Sequence, residues 1–80
     1  MAGAARRGEG MKYAVVYEKA ANNFSAYVPD LPGCVATGAT QEEVKRNILD
    51  AIEFHLEGMR LEHLPIPEPD TWTETVEVSA

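Results

Sequence analysis

Few side chains in this sequence are of types and spacings that could do chemistry. Asp30, Asp50 and Glu53 are carboxylates of the kind that hold divalent metals in a nuclease, which needs several of them converging on one site. Asp30 falls in a turn bounded by prolines, whereas Asp50 and Glu53 fall on the polar side of a helix, so solvated or capping roles fit them better. His55 and His63 are eight positions apart, which puts them about 80° from one another if the helix continues. That is not the i, i+4 pair of a helical metal site. His55 also lies within an apolar stripe, the setting of a core or interface histidine. Cys34 is the sole cysteine, which excludes an intrachain disulfide framework. With no activating base evident beside it, it reads as a small buried hydrophobe. The residues therefore point to no enzyme, no metal and no cofactor.

What must position these groups is organised around Val28–Glu43, a turn, a short strand and a helix start in succession. Pro29 and Pro32 cannot donate backbone hydrogen bonds, so the chain between them is no strand interior. Gly33 supplies a residue free to take positive φ where the turn closes. Cys34 to Ala39, small and partly β-branched up to Gly38, suits a short strand. Thr40 followed by Glu43 is a capping box. From Thr40 to about Glu62, Val44, Ile48, Ala51, Ile52, His55, Leu56 and Met59 share one stripe at about 100° per residue. Glu42, Glu43, Asp50, Glu53 and Glu57 fall mostly away from it.

Upstream, Lys12–Glu18 alternates Tyr13, Val15 and Tyr17 with Ala14 and Val16, a strand apolar on both faces and so expected to be central. Asn22-Asn23 marks a hairpin turn into a second strand, Phe24–Val28. Downstream, Leu64–Asp70 has alternating prolines and should run extended and stiff. Trp72–Val78 then reads as a last strand with Trp72, Val76 and Val78 on one face. The expected architecture is α+β, in the order β-β-β-α-β. It is a four-stranded mixed sheet of order 3-2-1-4 with one long helix on one face, and a helical crossover of this kind is right-handed. Residues 11–80 are expected to form a single domain behind a disordered tail, Met1–Gly10, which lacks the apolar core of a signal peptide.

The chain carries a formal net charge of −6. Arg6 and Arg7 both lie in the expected tail, so the fold itself is more acidic still. Such a charge argues against binding a phosphate backbone directly and suits a basic protein partner. No long apolar run suggests a membrane span, and a cytoplasmic protein is expected.

Taken together, Val28-Pro29-Asp30-Leu31-Pro32-Gly33-Cys34, then Gly38, Thr40-Gln41-Glu42-Glu43, Asn47, Ala51-Ile52 and Pro65-Ile66-Pro67-Glu68-Pro69 resemble the HicB-like antitoxins. The likeness spans Met11 to about Val78, with Pro29, Asp30, Pro32, Gly33, Cys34, Gly38 and Thr40 as its motif residues. It implies a truncated RNase H-like domain. It also implies a partner, a small basic HicA-like toxin that cleaves mRNA, which the antitoxin neutralises by covering its active surface. Many relatives carry a further C-terminal DNA-binding segment. The sequence given ends at Ala80 directly after the expected last strand, so operator binding is not carried over.

Candidate partner-binding residues are the acidic helix positions Glu42, Glu43, Asp50, Glu53 and Glu57, together with Trp72. A sheet covered by one helix leaves its other face bare, with Ala14, Val16, Tyr27 and Val35 on it; that face or an edge strand should pair with another copy, so a homodimer or higher oligomer is expected. The alternative function is a stand-alone oligomeric module that binds a protein or ligand and has no toxin.

Overall fold

Alternation of apolar and polar residues builds an antiparallel meander, which one helix covers on one side. The computed structural model describes residues 11–79, and the expected tail, Met1–Gly10, lies outside them. Three strands, β1 (Val16–Lys19), β2 (Phe24–Tyr27) and β3 (Val35–Gly38), precede the helix α1 (Gln41–Leu61). The sheet order is β1-β2-β3. Tyr17 pairs with Ala26, which pairs with Ala36. Because directly opposed residues share a face, this register puts Tyr17, Phe24, Ala26, Ala36 and Gly38 on the helix side. Val16, Tyr27 and Val35 form a row across the bare side.

The turn between β2 and β3 feeds the core. Leu31 N–H donates to the Val28 carbonyl at 3.1 Å, and Cys34 N–H to the Leu31 carbonyl at 3.0 Å. In the second of these turns Pro32 and Gly33 take the central positions, with Gly33 at φ 84°, the arrangement a type II turn demands. The tight reversal drops Leu31 into the interior, fully buried among Ala26, Val28, Cys34, Val44 and Ile48. Burial of each large aliphatic here contributes about 1.5–3 kcal/mol.

The helix is capped at both ends. Thr40 Oγ1 accepts from Glu43 N–H at 3.0 Å, while the Glu43 carboxylate accepts from Ala39 N–H at 2.8 Å. At the other end Leu64 N–H reaches the Met59 carbonyl (2.9 Å) and His63 N–H the Arg60 carbonyl (3.1 Å). Those two bonds are a Schellman cap, with His63 in the left-handed conformation at φ 58° where glycine is usual. Gly38 lets β3 meet the helix start, since a Cβ there would lie 2.6 Å from the Val44 nitrogen. Asn47 Nδ2 donates to the Thr37 carbonyl at 2.9 Å and binds the second turn of α1 to β3. The helix rests mainly on β3 and then on β2.

The expected four-stranded mixed sheet of order 3-2-1-4 is not what forms. Among the described residues there are three antiparallel strands, β1 is an edge rather than the centre, and Trp72–Val78 forms no strand and pairs with none. The physical reason is the route of the chain after the helix. Tyr13 Oη donates to the Pro67 carbonyl at 2.6 Å. Three residues further on, the Asp30 carboxylate takes hold of Asp70 and Thr71. These bonds tie Pro67 to the Tyr13 side chain and Asp70 and Thr71 to the β2–β3 turn, and beyond Thr71 the described chain pairs with no strand.

Candidate partner-binding surface

The loop residues singled out from sequence act structurally. Asp30 Oδ2 accepts from Asp70 N–H (3.0 Å) and Thr71 N–H (2.9 Å), and Oδ1 from the Thr71 hydroxyl (3.0 Å). One carboxylate therefore clasps the C-terminal segment with three hydrogen bonds. Pro29 and Pro32 sit exposed on the turn, while Cys34 is buried and its thiol is pushed up in pKa by that burial. Burial first, and then the neighbouring charges of Glu68 and Asp30, push the Tyr13 phenol up as well.

The carboxylates that could have formed a nuclease centre are dispersed. Asp30 is engaged in the clasp, and Asp50 and Glu53 point outward from α1. Among the described residues no three His, Cys, Asp or Glu side chains are placed to hold a metal ion together. His55 is half-buried on the inner stripe and His63 closes the helix.

Of the acidic positions, Glu43 is spent on the cap, and Glu57 meets Arg60 at 3.7 Å in an exposed pair, worth well under about 1 kcal/mol. Glu42, Asp50 and Glu53 are exposed. Between them stands a residue that sequence reasoning passed over. Phe54 is 82% exposed on the outer flank of α1, with Leu61 two turns on, 71% exposed. At about 100° per residue, Asp50, Phe54, Glu57 and Leu61 share that flank. An exposed aromatic side chain on a helix, with Asp50 and Glu57 one turn to either side, is a candidate interface anchor. The available signal was phase: Phe54 is apolar yet falls outside the apolar stripe. Trp72, 77% exposed, is carried by the C-terminal segment and not by α1.

A groove of about 410 Å³ opens between β1 and α1, lined by Val15, Tyr17, Leu49 and Ile52, with Lys45 and Arg46 also on its wall. It concentrates basic side chains in an otherwise acidic chain. No helix among the described residues is long and apolar enough to cross a membrane.

Comparison with known proteins places this arrangement. A family model described as the HicB-like antitoxin of bacterial toxin-antitoxin systems matches residues 13–79. A UPF0150 protein of Synechocystis is 41% identical over 72% of this chain and 75% of its own length. A UPF0150 protein of Helicobacter pylori is 45% identical over 61% of this chain and 68% of its own length. An uncharacterised 14.9 kDa protein of Haemophilus phage HP1 is 38% identical over 72% of this chain but only 44% of its own length. Among solved structures, a chain of a HicA3 and HicB3 toxin-antitoxin complex superposes with a TM-score of 0.64 at 30% identity. The match covers 74% of this chain and 69% of that one.

Proposed function

The chain belongs to the HicB-like antitoxin family, and from that premise we propose that it neutralises a small basic HicA-like ribonuclease toxin by binding and masking its active surface. The observation that carries the reading on this chain is the outer flank of α1, where Phe54 stands exposed among Asp50 and Glu57. Negative potential over a rigid aromatic anchor suits a basic partner, steering the encounter and fixing the register. Masking requires no catalytic residue and no cofactor from this chain. Residues 11–80 act as one domain, as a homodimer or higher oligomer in the cytoplasm, and the net acidic charge disfavours direct binding to a phosphate backbone.

Growth rescue with copurification tests this. A small basic protein encoded beside this chain is expressed alone and then together with it. Toxicity relieved by co-expression, with the two proteins copurifying, is the expected result. Phe54→Glu should weaken the complex by about 30-fold or more, the loss of an interface anchor worth about 2 kcal/mol. Toxicity without rescue or binding would contradict the reading for that neighbour. The alternative is a stand-alone oligomeric module that binds a protein or ligand and has no toxin.

A further inference from the structure

We propose that the chain dimerises by reciprocal strand addition, the segment Trp72–Val78 of each copy lying along the open edge of β1 in the other. This rests on the homodimer reading above and is independent of the toxin.

Both halves of the contact are present in one chain. As the edge of the sheet, β1 offers a row of backbone donors and acceptors with no neighbouring strand on its outer side among the described residues. The helix leans towards β3 and β2, so its β1 flank overhangs an empty strand position, which is the groove lined by Val15, Tyr17, Leu49 and Ile52. Trp72–Val78 is the complement. It is exposed throughout and has no regular structure of its own, and strand alternation would put Trp72, Glu74, Val76 and Val78 on one face, with Thr73, Thr75 and Glu77 on the other. Laid beside β1, the first face would cover the groove, and Glu74 would meet the Lys45 and Arg46 that the groove also presents. β1 is four residues long, Val16–Lys19, so the donated stretch 72–78 is long enough to span the whole edge.

The occupant is a second copy rather than the chain's own arm. Pro67 is held by Tyr13 and Thr71 by Asp30, and with both bonds made the chain's own Trp72–Val78 forms no ladder with β1. Donation to a neighbour keeps the clasp intact. With one arm and one edge per copy, a two-fold pair leaves neither unsatisfied and closes the assembly.

Trp72 is the sole tryptophan, so its fluorescence reports the contact directly. The full chain is followed by sedimentation equilibrium and tryptophan emission over a dilution series. The expected result is a species of twice 8.8 kDa with blue-shifted emission, the shift lost in step with the mass on dilution. Val76→Pro, which removes a strand donor, should halve the mass and leave the emission red-shifted, with the helical circular dichroism unchanged. Val35→Asp, on the bare sheet face, should keep both dimer and blue shift. A monomer at every concentration overturns the proposal. So does a dimer that tolerates Val76→Pro, or one that falls apart with Val35→Asp. Blue-shifted emission at monomer mass would place the arm on its own chain and equally overturn it. None of these outcomes bears on the toxin, whose neutralisation is read by growth rescue.

Discussion

The Asp30 clasp makes a sharp prediction because Ala and Asn at this position should part ways. Asp30→Ala removes the acceptor of three hydrogen bonds, two from the Asp70 and Thr71 amides and one from the Thr71 hydroxyl. Hydrogen bonds to a charged acceptor contribute about 1.5–3 kcal/mol each. The Asp70 contact is exposed, so water replaces part of what is lost, and the net cost of opening the clasp is about 2–3 kcal/mol. The loss is local, since the core of Leu31, Val44 and Ile48 lies elsewhere. It should therefore appear as faster hydrogen exchange at the Asp70 and Thr71 amides, by about 30- to 150-fold, with the melting of α1 little changed. Asp30→Asn keeps one oxygen to receive both amides, and its Nδ2 can donate to the Thr71 hydroxyl. It should cost less than about 1 kcal/mol. Equal exchange in the Ala variant and the wild type, or an Asn variant as labile as the Ala one, would refute the clasp.

Gly38→Ala should destabilise the fold by about 1–3 kcal/mol in chemical denaturation, because its methyl would press on the Val44 backbone. His63→Gly should stabilise it by about 0.5–1 kcal/mol, relieving a left-handed histidine in the Schellman cap. The raised Tyr13 phenol means that the folded state holds its proton more tightly than the unfolded chain does. The corresponding stability is fully present below the ordinary tyrosine pKa of 10.0 and is lost as pH rises from there through the folded value. Denaturation midpoints measured across that range should fall with pH, and Tyr13→Phe should flatten the slope.

Local chemistry was legible in the sequence, and long-range routing was not. The Thr40–Glu43 box, the Pro32-Gly33 turn and the hairpin at Asn22-Asn23 all depend on neighbours a few residues away, and each forms as its residue types dictate. The helix ends close to Glu62 as its apolar stripe implies, although the cap is closed by His63 and not by Gly58. The fourth strand was misjudged for the opposite reason. Trp72–Val78 has the alternation of a strand, but whether it pairs depends on contacts made by Asp30 and Tyr13 with residues far along the chain. Periodicity carries no trace of those contacts. The two apolar faces that suggested a central β1 are real; one is bare and the other is left partly open beside the groove. Phe54 was missed because sorting α1 into an apolar stripe and an acidic face leaves no place for an apolar residue about 120° from Ile48.

The central claim is most directly tested by titrating RNA cleavage. Where a small basic protein is encoded beside this chain, it is purified, its cleavage of RNA measured, and this chain added in increasing amounts. Masking predicts that cleavage falls to background near one chain per toxin, and that Phe54→Glu shifts the titration to higher concentration. Cleavage that persists at saturating chain, or that is suppressed equally well by Phe54→Glu and by wild type, would contradict masking through the outer flank of α1.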